Sequence, residues 1–282
     1  MLFFRLIAKL PFTVFYFFSD LLFVVLFYVV RYRKSLVISN LETSFPEKSK
    51  QEIQQITRQF YRQFADYSLE ILKLYGMSKE QIRERVKIEN PELLKKFMAE
   101  GKYILAFGSH LANWEWIGPG LLANGVPSDA IYKPLSSPFF EKLVFNIRSR
   151  MGVRPVPMKQ LMRDLVIRKN EPRLIGLATD QSPHEPQHAL WMSFLNQNTG
   201  FFAGTEKLAR STGMPVVFGE FRRIKRGYYS AYFHLIDAQP TNQLPPQALT
   251  EQYRDLLEAA IRKNPADWLW SHNRWKYKNK AQ

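Results

Sequence analysis

The chain has 282 residues, 46% of them apolar, enough for one α/β domain with its own core and a small extension. A net charge of +15 favours a polyanionic partner, and aromatics at 15%, with 22 Phe, turn that choice from nucleic acid towards an anionic lipid surface. Cysteine is absent, which excludes a disulfide, a thiol nucleophile and a cysteine zinc site.

Residues 10–30 form the first element. Asp20 is their one charge, and as a helix they extend roughly 30 Å, the depth of a bilayer core. Arg5 and Lys9 precede the stretch; Arg31, Arg33 and Lys34 follow it. The run is too long for a signal peptide, and no small-residue cleavage site follows. A charge such as Asp20 at mid-membrane is costly unless paired. Two membrane placements therefore stand: a spanning helix, or a helix lying in the interface with its Phe-rich faces in lipid. A buried soluble helix is the third. In either membrane placement the basic flank puts the bulk of the chain in the cytoplasm. The boundary falls between a membrane element at 1–34 and a cytoplasmic domain at 35–282.

Helical spacing follows over 47–75, where Ile53, Ile56, Phe60, Phe64, Tyr67, Ile71 and Leu74 recur three and four apart, with Gly76 as a stop. Ser78 and Gln81 form a capping box for a short helix, and Pro91 opens another over 91–99. The pattern then changes to strands. Buried runs stand at 103–107 and 174–178, with a further strand expected at 130–132; 215–221 and 228–236 alternate, with a basic turn at 222–227. Amphipathic helices fill the gaps near 139–150, 159–169, 203–212 and 247–263. Alternating strands and helices imply an α/β sheet covered on both faces.

The main chemical signal is Gly108-Ser-His-Leu-Ala-Asn-Trp-Glu115. His110 follows a buried strand, and α/β sheets bind ligands beyond the carboxyl ends of their strands. On one continuous helix His110 and Glu115 point about 140° apart and cannot meet. They pair only if His110 sits on the turn and Glu115 reaches back from a helix starting near Leu111. Glu115 then accepts from one imidazole nitrogen and leaves the other as a base. A helix-capping turn with an incidental histidine fits the same residues.

His110, Asn113, Trp114 and Glu115, written HLANWE, resemble the His-x4-Asp/Glu signature of glycerolipid-type acyltransferases. More specifically, the chain resembles the bacterial lipid A late acyltransferases, the lauroyl and myristoyl transferases acting on Kdo-lipid A precursors. Further blocks agree in order: Asn40-Leu41 with Phe45-Pro46, Tyr132-Lys133-Pro134, Arg148, Arg150 and Gly152, Asp180-Gln181, Phe201-Phe202 with Gly204-Thr205, and Trp270-Ser-His-Asn-Arg274-Trp-Lys276. The resemblance covers nearly the whole chain.

It implies a mixed, largely parallel sheet covered by helices, at the cytoplasmic face of the bacterial inner membrane. The implied reaction passes a fatty acyl group from a thioester, acyl carrier protein or acyl-CoA, to a hydroxyl of an anionic glycolipid or phospholipid. His110 takes the hydroxyl proton, and Glu115 holds the ring's tautomer. The substrate hydroxyl replaces a serine, so no acyl-enzyme, metal or cofactor is needed. Backbone N–H groups after His110 are candidates for the oxyanion. Asn113 enters as a substrate-binding candidate with the motif. Lys133, Arg148 and Arg150 are candidates for phosphate on the acceptor or carrier, against a solvated basic face. Asp180 ends a buried strand and so lies on the same sheet edge as His110, as a site residue or a structural cap. Phe201 and Phe202 line an acyl channel or the core; His272 and Arg274 read as structural support.

His184-Glu-Pro-Gln-His188 matches the zinc protease pattern His-Glu-x-x-His, which needs both histidines on one helix. Pro186 opposes that helix. A zinc hydrolase using His184 and His188 is the remote alternative, and a non-catalytic basic lipid- or nucleic-acid-binding module is another. The Pro/His-rich loop after Asp180 and the shortness of the chain also keep an aminolipid or lysophospholipid open as acceptor.

Overall fold

A computed structural model of the chain describes residues 7–277, so Arg5 of the basic flank lies outside it. Helix α1 (Phe12–Val24) runs on through a π-helical turn at Val25–Val29, and together they are long and apolar enough to cross a membrane. α1 packs along α3 (Lys50–Leu74), burying Phe15, Ser19 and Phe23. Phe17, Phe18, Leu21, Val24, Val25 and Val29 stay exposed on its other side. Asp20 is paired, since Arg226 reaches its carboxylate at 2.7 Å.

Between them, α2 (Lys34–Ser44) has no strong amphipathic pattern, and its spacing did not announce a helix. α3 opens on a capping box in which the Ser49 side chain and Glu52 satisfy each other's backbone N–H groups. Its end is set by a close approach. A Cβ on Gly76 would stand 2.4 Å from the Ala8 carbonyl oxygen. Gly76→Ala is therefore expected to push the N-terminal segment off its seat and cost about 1–3 kcal/mol, read as a fall in Tm.

α4 (Lys79–Arg85) opens on the expected Ser78–Gln81 box. β1 (Val86–Ile88) and α5 (Pro91–Ala99) follow, then β2 (Ile104–Gly108), α6 (Trp114–Ala123), β3 (Ser128–Tyr132) and α7 (Pro138–Arg150). β4 (Arg154–Pro157), α8 (Leu161–Ile167) and β5 (Leu174–Ala178) come next, then a hairpin of β6 (Ala189–Phe194) and β7 (Gln197–Phe202). α9 (Ala203–Thr212), β8 (Val216–Lys225), β9 (Tyr228–Asp237) and α10 (Ala248–Lys263) complete the order.

Seven strands form one sheet in the order β1-β9-β8-β2-β5-β3-β4, parallel throughout except for the β8–β9 hairpin. The sheet is thus mixed and largely parallel. Alternation along the strands divides the core in two. Leu105, Phe107, Ile175, Leu177 and Phe218 face one layer with Tyr253 and Leu257 of α10 and the tryptophans of the C-terminal block. Ile104, Ala106, Leu174 and Val217 face the other with Leu94 of α5, Trp116 of α6 and Ile147 of α7. Both faces are covered, as the buried runs required.

Two local expectations are corrected. The basic turn at 222–227 shrinks to Arg226–Gly227, with Gly227 at φ +74°, because β8 continues through Lys225 and β9 starts at Tyr228. Arg223 and Arg226 are not a free basic patch; both bond the buried Asp66 carboxylate. The helix expected near Leu111 begins at Trp114, because Leu111 makes a bridge to Trp268 instead.

Candidate active site

β2 and β5 are parallel neighbours in a register that sets Gly108 opposite Ala178. Each chain continues two residues beyond that pair, to His110 and to Asp180. Thr179 N–H donates to the Gly108 carbonyl at 3.1 Å and keeps the two ends together. Asp180 Oδ1 stands 2.6 Å from His110 Nδ1, and Oδ2 accepts from the His110 backbone N–H at 2.8 Å. Trp268 Nε1 donates to the same oxygen at 2.8 Å.

The His110 turn is fixed from the other side too. Ala112 adopts φ +49°, a left-handed conformation that costs a non-glycine residue about 1 kcal/mol. Its N–H donates to the Asp267 carbonyl at 2.8 Å, and Leu111 bridges Trp268. The C-terminal block therefore clamps the turn. The Trp114 ring lies 4.8 Å from the His110 ring and 4.1 Å from that of Tyr67.

This geometry changes the partner of the histidine. The sequence paired His110 with Glu115, but Asp180 occupies Nδ1. Glu115 instead takes a two-pronged bond from Arg148, at 2.7 Å to Nε and 2.5 Å to Nη2. The reason lies in the turn: with α6 starting at Trp114, Glu115 sits in its first turn and faces α7 rather than reaching back. Burial lowers the His110 pKa, but the Asp180 charge, their hydrogen bond and the Glu115 charge outweigh it and hold the pKa above the usual imidazole value. For Asp180, burial acts upward; the His110 charge and hydrogen bonds from His110 and Trp268 overcome it and bring the pKa down to about 2.

With Nδ1 bonded to Asp180, the free ring position is Nε2. The Gln181 amide nitrogen stands 3.1 Å from it, an arrangement in which the amide donates to a lone pair on Nε2. The tautomer with hydrogen on Nδ1 is the one a base at Nε2 requires.

The remaining candidates separate. Asn113 is not placed to bind substrate: it is fully buried, and its amide donates to Glu70 at 2.7 Å. Arg148 is brought to the site by Glu115; burial opposes its charge, and Glu115 more than restores it. Lys133 is exposed and 3.0 Å from His184 Nε2. Arg150 is exposed at the end of α7, its guanidinium 6.0 Å from the Tyr75 ring. Phe201 packs in the core with Phe194 and Tyr253. His272 accepts from the Ser182 N–H and buried Arg274 donates to the Gly200 carbonyl, both structural contacts. In the 184–188 stretch, Pro186–His188 is a short 3₁₀ turn; His184 meets Lys133 and His188 meets Glu185, so the two histidines share no helix face.

A largely parallel α/β sheet with an imidazole–carboxylate pair at adjoining strand ends is the framework of an enzyme that works by general acid–base chemistry. The chain belongs to the bacterial lipid A biosynthesis acyltransferases, whose family model matches residues 1–277. It is similar to the lipid A biosynthesis palmitoleoyltransferase of Escherichia coli (strain K12), 22% identical over 248 residues, which are 86% of this chain and 79% of that protein. The lipid A biosynthesis acyltransferase of Shigella flexneri is similar to the same extent, again 22% identical over 248 residues, 86% of this chain and 79% of that one. The protein is an acyltransferase.

Proposed function

We propose that this enzyme transfers a fatty acyl group from a thioester, carried by acyl carrier protein, to a hydroxyl of a lipid A precursor at the cytoplasmic face of the inner membrane. The observation that carries the reading is the His110–Asp180 pair, 2.6 Å apart beyond the carboxyl ends of β2 and β5, with Nε2 held, among the described residues, only by the Gln181 amide. The acceptor hydroxyl takes the place of the Gln181 amide, and Nε2 removes its proton as the oxygen attacks the thioester carbonyl. Asp180 keeps the ring in the right tautomer and stabilises the imidazolium. When the thiolate leaves, the imidazolium returns the proton to it, and no acyl-enzyme forms.

Arg148, steered by Glu115, supplies positive charge to the thioester oxyanion or to an acceptor phosphate. Lys133 and Arg150 extend that charge outward for the anionic acceptor and carrier. In this reading residues 1–34 are the membrane element of a catalytic domain at 35–282. The apolar outer side of α1 enters the lipid, while its inner side remains on α3. Lipid A as acceptor is supported by the family and by the printed names of the two relatives.

The deciding experiment is mass spectrometry of total lipids from cells with and without the gene. The expected result is lipid A lacking one acyl chain in the mutant, restored by the intact gene but not by His110→Ala. A missing chain on an aminolipid or phospholipid would move the acceptor to that class. An unchanged lipid profile would sink the reading.

A further inference from the structure

We infer that Glu70, apart from the reacting groups, is a positioning residue that ties the His110 turn to the N-terminal apolar helix, an assignment that rests on His110 acting as the base. Glu70 lies on α3 and is 1% exposed. A carboxyl so buried is costly without partners, and it has three side-chain donors from three separate elements. Tyr16 of α1 donates to Oε1 at 2.9 Å. Asn113 and Tyr229 donate to Oε2 at 2.7 Å and 2.5 Å. The Glu70 main-chain carbonyl also accepts from Trp116 Nε1 at 3.0 Å.

Asn113 and Trp116 bracket Trp114 and Glu115. Tyr67, one turn earlier on α3, packs against Trp114 at a tilt, and the Trp114 ring meets His110. Thus α3 grips the segment after His110 at three points, and two of them are on Glu70. Its carboxylate holds Asn113 at the N-cap of α6, next to strained Ala112, so a rotation at Asn113 passes directly to the turn.

The second link runs to α1. Besides Tyr16, Ser19 donates to Asp66 at 2.6 Å, and Arg226 joins Asp66 to Asp20. The seating of the apolar helix on α3 and the setting of the catalytic turn therefore meet on one carboxylate. A leucine would fill this space without the desolvation cost; the carboxyl adds direction.

The test uses the full-length enzyme in detergent micelles, with Glu70→Gln, Glu70→Gln/Asn113→Asp and Tyr16→Phe. The assay substrates are lauroyl acyl carrier protein and a Kdo-lipid A precursor. Glu70→Gln keeps a single acceptor oxygen, which must serve both Asn113 and Tyr229 while its NH2 meets the Tyr16 hydroxyl, so the charge that holds Asn113 is lost and the grip on the turn loosens. We expect kcat to fall about tenfold or more with KM unchanged, and the His110 imidazole to titrate nearer its ordinary value by ¹⁵N NMR. The double variant reverses donor and acceptor without changing net charge, and should restore both readings. Tyr16→Phe should lower kcat in the same direction by a smaller factor. Parental kcat and an unmoved His110 titration in both Glu70→Gln and Tyr16→Phe, whatever their Tm, would overturn the assignment. Failure of the acyl-transfer reading looks different, as no turnover by the parent enzyme, and the NMR titration then still decides the part of Glu70.

Discussion

Asp180→Asn is expected to lower kcat for acyl transfer by about 10³–10⁴-fold, the scale seen when a carboxylate that fixes a catalytic histidine is neutralised. The amide keeps the shape but can present an N–H to Nδ1. That favours the tautomer with hydrogen on Nε2, where the base must be bare. The pH dependence supplies an independent reading. If His110 is the base, as proposed, it must be neutral to act, so kcat/KM in the parent is expected to rise with pH through a midpoint above the ordinary imidazole value, because Asp180 and Glu115 outweigh burial. Without the Asp180 charge, burial is opposed mainly by Glu115, and the midpoint moves to lower pH. Glu115→Gln removes a charge but no bond to the ring. Its loss should be smaller, about 10–10²-fold. If Glu115→Gln proved the more damaging change and Asp180→Asn left the midpoint in place, the partner of His110 would be Glu115 after all.

The frame of the molecule was legible because burial leaves a plain record. The runs at 103–107 and 174–178 are apolar at almost every position, and they became the central neighbours β2 and β5. The Ser78–Gln81 box and Pro91 mark helix starts by local chemistry, independent of the rest of the fold. What escaped notice had no local record. β1 is three residues long and shows only one alternation, Val86 and Ile88 inward with Lys87 outward. β4 is Arg-Pro-Val-Pro, an edge strand in which prolines are tolerated but speak against strand in the sequence. β7 starts Gln197-Asn198-Thr199, of which Gln197 and Thr199 are buried; Thr199 gains its burial from the C-terminal block, whose Trp275 indole bonds it at 2.7 Å.

The same division holds at the site. His110 and Asp180 each stand two residues past a buried strand, and that shared offset places them on one edge. The sequence contains the offset; the adjacency of β2 and β5 is a fact of topology that turns it into a contact. Glu115 was misplaced for a local reason. Its distance from His110 was judged on a helix starting near Leu111, whereas the left-handed Ala112 delays the helix to Trp114 and rotates Glu115 towards α7. Glu70 and Trp268 lie far from the motif in sequence, and only the packing of α3 and the terminal block brings them to it.

Arg148 gives the other large expected effect. Its guanidinium is bonded through two nitrogens to Glu115, with 20% of the Arg side chain and 9% of the Glu side chain exposed. Arg148→Ala leaves the Glu115 charge buried without its partner, at a cost of about 3 kcal/mol, the low end for such a charge because Arg148 is partly open to water. It also removes the positive charge beside His110, for a further loss of about 10²–10³-fold in kcat on the oxyanion reading. The two consequences can be separated. Arg148→Met with Glu115→Met removes both charges and refills the volume, so Tm should return most of the way to the parent value. Activity should not return with it, since the charge that meets the thioester or phosphate is still missing. A double variant that recovered kcat along with Tm would reduce the pair to a fold support and leave His110 and Asp180 to carry the chemistry alone.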